Sequence, residues 1–355
     1  MTRILTALLL LLAALSGCQG ESPQTPATPS VKTDVQKPQT TTTEKTKAKL
    51  VVYSGRSAKL VEPLLSLFEA KTGIKVRVRF DKSTQTLANR IASEGQVGEA
   101  DVFFAQDSGY LGALAKAGHL QALPKAVLDR VPENYRDKDG KWVATSGRAR
   151  VLVYSPERVK VEDLPSGLEA LADPKWTGRI GWAPSNSSYQ AHVSGLRALW
   201  GEEKTKNWLA KMRAVEPKVY PKNSPQVKAV SSGEIDIGWV NHYYLHRLKA
   251  ANPSLKAANY SFRDQSDAGN LLMLSGVAVT AHAKNVRSAR ALAQFLVSDE
   301  AQNYFAQTVY EYPTVSGIKT HKNVPPKSGG WAAVEQSALS DVVGTVKLLR
   351  QLGLQ

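Results

Sequence analysis

The stretch GWVNHYYLHR (238–247) sets two phenols side by side, Tyr243 and Tyr244, where an apolar strand-like run gives way to a helix. A core aromatic beside a surface one is the ordinary reading of such neighbours; a pair placed for chemistry is the other, and the doublet alone leaves both open. His242 and His246 stand four apart, a spacing that shares a helix face and occurs in some zinc sites. No Glu follows His242 in the HExxH manner, and no third His or Cys lies nearby. Covalent catalysis finds no support either. There is no GxSxG elbow, the six histidines fall into no catalytic pattern, and the single cysteine, Cys18, ends an apolar leader. Tyr53, Tyr110 and Tyr154 read as packing residues.

The elements that must position these side chains follow from hydrophobic patterning. With 355 residues, 42% apolar and 22% charged, the chain is long enough for two domains with full cores. Strand-like LVVYS (50–54) precedes a helical pattern from Lys59 to Lys71, then KVRVRF (75–80), helical TLANRIASEG (86–95) and ADVFFA (100–105). That alternation predicts an α/β domain with a largely parallel sheet. A second set starts at RARVLVYS (148–155), emerging from a Gly-containing turn. It continues through RIGWAP (179–184), a helix from about Tyr189, and DIGWVN (236–241). LSGVAVTAH (274–282), a helix from about Val286 to Gln307, and a last helix from about Trp331 to Leu348 complete it. No internal repeat is visible. Two α/β lobes joined by strands that cross and return form the plan of a clamshell solute-binding protein, an element order that many enzymes share.

The front of the chain is different in kind. Residues 1–18, MTRILTALLLLLAALSGC, carry one basic residue and an apolar run too short to span a bilayer, as a secretory signal does. LSGC resembles the lipobox of bacterial lipoproteins, which makes Cys18 the expected lipidation site; as the only cysteine it also leaves no partner for a disulfide. Residues 19–48 are rich in Pro, Thr, Gln, Ser and Lys, and are expected to form a disordered tether with a reach of roughly 30 Å. The net charge of +15 raises the question of nucleic acid. The basic residues are scattered among acids with no basic run interleaved with aromatics, so no nucleic-acid partner is expected.

Several fragments together resemble the periplasmic ferric-ion-binding proteins that feed ABC importers. They are VVYSGR (51–56), FEAKTGIKV (68–76), ADVFFAQD (100–107), SGRARVLVY (146–154), PKWTGRIGWAPSNSSY (174–189), YPKNS (220–224), GEIDIGWVNHYYLH (233–246) and LSGVAV (274–279), in family order. The resemblance implies an α/β two-lobed clamshell of the periplasmic-binding-protein type with crossover hinge strands. One lobe would comprise 49–148 with about 263–313, the other about 149–262 with 314–355. It implies metal ligation by Tyr243 and Tyr244, and by Tyr189, which stands where some members carry a third tyrosine ligand. Members with a His and a Glu ligand place them where this chain has Ser57 and Gln106, so the all-tyrosine variant is the better match.

The implied chemistry is coherent. Fe(III) is a hard cation suited to oxygen donors. Free tyrosine, with a pKa of about 10, is neutral outside the cell, and a trivalent ion drives off its proton. Three phenolates neutralise the ion and leave about half of an octahedron open to a synergistic anion such as carbonate or bicarbonate. Arg56 and Arg148 match family positions lining the cleft, and a guanidinium fork suits carbonate. Ser187 and Ser188, at the helix start in APSNSSYQ (183–190), offer backbone N–H groups. Arg150, on the same strand face, could substitute for Arg148, which is preferred because it completes the SGR match. Asn186, Asn223 and Asn241 are candidates to orient the anion or the tyrosine loop. The expected protein is a monomeric, lipid-anchored receptor outside the cytoplasmic membrane, with a membrane permease as partner. A clamshell receptor for a metal-free oxyanion or phosphonate is the nearest alternative and a secreted hydrolase a distant one. A polyamine receptor would want carboxylates where Ser57 and Gln106 stand.

Overall fold

A computed structural model describes residues 49–355 apart from 82, 327–329 and 333. The expected signal, the lipidation site Cys18 and the tether lie outside the described residues.

The first run of elements is β1 (Leu50–Ser54), α1 (Ala58–Thr72), β2 (Val76–Phe80), α2 (Thr84–Glu94), β3 (Val102–Ala105), α3 (Ser108–Lys116), β4 (Leu120–Gln121) and α4 (Lys125–Leu128). The long β5 (Trp142–Tyr154) leads into β6 (Ile180–Trp182), α5 (Ser187–Trp200), α6 (Glu202–Ala214) and β7 (Lys218–Val219). Next come α7 (Asn223–Ser232), β8 (Ile237–Asn241), α8 (Tyr243–Ala251) and β9 (Ala258–Tyr260). β10 (Leu272–Thr280), α9 (Val286–Leu296), α10 (Asp299–Gln307) and α11 (Val342–Gln351) end the chain.

The strands order β2-β1-β3-β10-β5-β8-β6-β7, with β4 beside β10 and β9 beside β5. The parallel pairing expected of the first three strands is present, within a sheet that is mixed as a whole. β1 runs parallel to β2 and β3, and β6 to β7 and β8, but β10 and β5 are antiparallel to each other and to their outer neighbours β3 and β8. The parallel strands lie on either side of a central antiparallel pair.

β5 explains the arrangement. All thirteen of its residues are buried. From Trp142 to Ala149 it pairs with β10, and from Arg150 to Tyr154 with β8. The sequence reading began this strand at residue 148 because SG at 146–147 looks like a turn. Gly147 instead lies within the strand, opposite Leu274, and exchanges backbone hydrogen bonds with Tyr312 at 2.7 and 2.8 Å.

Alternation then divides the cores. In β1 and β3, Val52, Val102 and Phe104 pack toward Phe68, Leu292 and Phe305 on one face, while Tyr53, Phe103 and Ala105 pack toward Leu87, Leu111 and Leu274 on the other. In the second half of β5, Leu152 and Tyr154 face Trp176, Trp239 and Tyr189, and Val151 and Val153 face Val227, Val240 and Leu245. Arg148 and Arg150 share the parity of Leu152.

Two long helices of the sequence reading are interrupted. The run from Val286 to Gln307 breaks at Ser298, whose side chain caps α10 by accepting from the Ala301 N–H, with Asp299 and Glu300 in the new first turn. The last helix begins only at Val342, behind Asp341, which caps Gly344. Among the described residues no helix is long and apolar enough to cross a membrane.

Candidate functional site

Tyr243 and Tyr244 open α8 directly after β8, and their rings stack at 4.4 Å and 28°. Tyr243 is buried and Tyr244 half-buried. Burial is the main cause that holds the Tyr243 phenol well above its ordinary value. Tyr244 and Glu311 add to the rise and Arg148 opposes it. Tyr189, in the first turn of α5, is fully buried between Trp182 (5.9 Å) and Trp239 (5.2 Å). Its hydroxyl has no hydrogen-bond partner among the described residues. Burial raises this phenol too, against the lowering influence of Arg150. Both groups are therefore neutral phenols at neutral pH.

Arg150 occupies the centre of the second half. Its Nη1 donates to the side-chain oxygens of Asn223 (3.1 Å), Asn241 (3.1 Å) and Ser188 (3.3 Å), and its Nη2 to the Trp239 carbonyl at 2.5 Å. The guanidinium carbon sits 5.7 Å from the Tyr189 ring and 5.2 Å from that of Trp239. No carboxylate among the described residues meets it. Burial drops it to about 9, while Tyr189, Tyr244 and Tyr243 all lie close enough to pull it upward. An unpaired buried cation is costly unless something negative comes to it.

Arg148 and Arg56 are differently placed. Arg148 donates from Nη2 to Asp107 Oδ1 at 2.8 Å and to the Gln106 carbonyl, leaving Nε and Nη1 without partners. Arg56 makes a two-point contact with Glu311 at 3.0 and 2.8 Å, and its Nη1 donates to Ser275 Oγ (2.7 Å) and Gln106 Oε1 (3.2 Å). Ser146 Oγ donates to Glu311 at 2.5 Å. Burial works against the Glu311 carboxylate, but Arg56 and Arg148 outweigh it and hold the carboxyl below its ordinary value. Arg150 touches Ser188 at the start of α5, whereas Arg148 reaches across to Asp107.

The start of α5 is also partly occupied. Asn186 Oδ1 caps it, accepting from the Ser188 N–H (3.2 Å) and Ser188 Oγ (2.5 Å), and from Asn223 Nδ2 (3.2 Å). Asn223 Nδ2 also donates to Ser188 Oγ at 3.1 Å, and Asn223 Oδ1 accepts from the Asn241 N–H at 3.2 Å. Ser187 and Asn186 line a cleft of about 410 Å³, whose walls include Asp81, Ser83, Asp107 and Lys222. Ser57 is exposed at the start of α1, and its side chain caps nothing.

The histidine pair is engaged within the fold. Both ring nitrogens of His242 are taken: Nε2 donates to the Tyr310 carbonyl at 2.7 Å, and Nδ1 accepts from the Ala149 N–H at 3.2 Å. Burial first, then the neighbouring His246, lowers it to about 4. Among the described residues no group of three His, Cys, Asp or Glu could hold a metal.

Sequence reasoning did not single out Asp107 or Glu311. Asp107 stands at the end of ADVFFAQD, one residue past Gln106, where an acid after a buried strand was a usable signal. Glu311 had none, because its partners Arg56 and Ser146 lie 255 and 165 residues away.

Comparison with known proteins places the chain in a family. Residues 99–336 match the model of the family described as bacterial extracellular solute-binding protein. Iron uptake protein A1 of Synechocystis sp. is 38% identical over 283 residues, covering 77% of this chain and 78% of its own. The major ferric iron-binding protein of Neisseria meningitidis is 32% identical over 315 residues, covering 87% and 94%. The crystal structure of iron-bound HitA from Pseudomonas aeruginosa superimposes with a TM-score of 0.80 at 31% identity, covering 86% of this chain and 99% of that one. With a matched stretch of that length and relatives of that coverage, the chain belongs to the bacterial extracellular solute-binding proteins and has their two-lobed fold.

Proposed function

We propose that this protein captures ferric iron in the cleft between two lobes and delivers it to an ABC permease. It acts by capture and closure, without catalysis. The iron named for its relatives in Synechocystis, Neisseria and Pseudomonas is the cargo this reading assigns to it. The observation that carries the reading is electrostatic. Tyr189, Tyr243 and Tyr244 all lie within the field of Arg150, a buried guanidinium with no acidic partner among the described residues.

In this reading the three phenols lose their protons to become hard oxygen ligands. A synergistic oxyanion, carbonate or bicarbonate, completes the coordination and rests on Arg150, with Ser188, Asn223 and Asn241 fixing the guanidinium. Asn186 and Ser187 belong to the cleft wall. Gln106 acts through its contacts to Arg56 and Arg148, and Ser57 takes no ligand role. The lobes divide at the Ala149/Arg150 step of β5, where its partner changes from β10 to β8. The first lobe extends through Val315, which is buried in the first core. Cys18 carries the lipid anchor, the tether spans 19–48, and the protein works as a monomer outside the cytoplasmic membrane.

The test is to mix iron-free protein with ferric citrate and bicarbonate and record the visible spectrum. A phenolate-to-iron charge-transfer band is expected. It should be lost when Tyr189, Tyr243 and Tyr244 are replaced by Phe, and weakened by removing bicarbonate or by Arg150→Ala. A colourless mixture overturns the reading. Oxyanion binding without any band would favour a metal-free oxyanion receptor.

A further inference from the structure

Three arginines are buried around the candidate site, Arg56 and Arg150 at 1% exposure and Arg148 at 0%, and two of them are neutralised. Glu311 holds Arg56 through two contacts, with both side chains at 0% exposure. Asp107 holds Arg148 at 2.8 Å, with its own side chain 12% exposed and on the wall of the cleft. Arg150 alone has only neutral partners. Asp81 and Lys222 on the cleft wall cancel each other, so the three buried arginines face two further negative charges.

Resting on the function proposed above, a ferric ion with three phenolates is neutral, so the surrounding protein presents a net charge of one. We propose that Asp107 and Glu311 are specificity-determining residues that set this charge, matching the cleft to a singly charged oxyanion, bicarbonate rather than carbonate, and disfavouring multiply charged ones. Asp107 acts at closer quarters. It lines the cleft beside Asn186 and Ser187, so it both screens Arg148 and repels a second negative charge on the ligand. Neutralising Asp107 frees Arg148, whose Nε and Nη1 already lack partners, to grip a larger or more highly charged anion. Glu311 does the same for Arg56 from the interior, where Ser146 and Ser275 complete the network.

The test titrates iron-free protein calorimetrically with bicarbonate, inorganic phosphate and citrate, comparing wild type with Asp107→Asn, Asp107→Glu and Glu311→Gln. Asp107→Asn should shift the affinity ratio of citrate, and of phosphate, over bicarbonate upward by about tenfold. Asp107→Glu should restore the wild-type ratio. Glu311→Gln should shift it in the same direction, and a thermal melt of that variant shows that it is folded. An unchanged ratio in Asp107→Asn overturns the proposal, as does a wild-type protein that binds none of the three anions. Ferric citrate added to the same samples reports separately on the iron reading. A band in every sample with an unchanged anion ratio defeats this inference alone, whereas no band in wild type with a shifted ratio defeats the iron reading and leaves the charge rule standing.

Discussion

Arg56 and Glu311 form a two-point ion pair at 3.0 and 2.8 Å, although 255 residues separate them and neither side chain is exposed to solvent. The pair ties the turn after β1 to the segment after α10. Its charges are costly to desolvate, so its geometry matters more than its presence. Glu311→Ala should destabilise the iron-free protein by about 3–5 kcal/mol, because it strands a buried guanidinium. The double variant Arg56→Met, Glu311→Leu should regain most of that loss. Urea unfolding of the three proteins checks this; a double variant as unstable as the single one contradicts it.

Tyr189 separates ligation from packing. Its hydroxyl is buried without a partner, so Tyr189→Phe removes an unsatisfied polar atom and keeps the ring between Trp182 and Trp239. The iron-free variant should melt no lower than wild type, while its ferric affinity falls by ~100-fold or more. A lower melting temperature with undiminished affinity would mark the residue as structural.

Iron uptake should release protons. Tyr189 and Tyr243 are held above their ordinary values chiefly by burial, so each is a neutral phenol before the ion arrives. Ferric binding should liberate at least ~2 protons per ion, and affinity should fall as pH falls. A weakly buffered titration with a pH electrode counts them directly. Proton release near zero would rule out phenolate formation.

Acid should also weaken the fold itself. His192, fully buried on α5 with its ring 4.7 Å from Trp239, is lowered well below its ordinary value by burial and by the Arg150 charge, against a small raising effect of the Ala268 carbonyl. The folded state holds it neutral, so its contribution is fully present above ~6.5 and is lost as pH drops below that value toward the folded pKa. His192→Leu should flatten the stability profile below pH ~6.5 by up to ~1.4 kcal/mol per pH unit. Denaturant midpoints measured across that range decide it; parallel profiles would show that His192 does not titrate on unfolding.

Legibility in the sequence followed the range of the interactions. β1 was found at both ends because LVVYS is a short apolar run bounded by a turn, and the tyrosine doublet was visible because its two members are adjacent. The first six residues of β5 were missed because SG at 146–147 mimics a turn, and only pairing with β10 and Tyr312 keeps it extended. The break at Ser298 had a local signal, Ser-Asp-Glu, that helical periodicity overrode. The division of labour among Arg56, Arg148 and Arg150 was hidden. It depends on Glu311, Asp107 and Asn223, which reach their partners only through the fold.

The antiparallel centre of the sheet bears on how the molecule is made. β5 is flanked by β10 and β8, both of which follow it in the chain, so a ribosome that has finished β5 has supplied neither neighbour. The first core waits for β10, α9 and α10 before it can close. A chain halted before Thr280 therefore lacks part of the middle of the sheet rather than a dispensable end. The central pair of the sheet is complete only once most of the polypeptide has been synthesised.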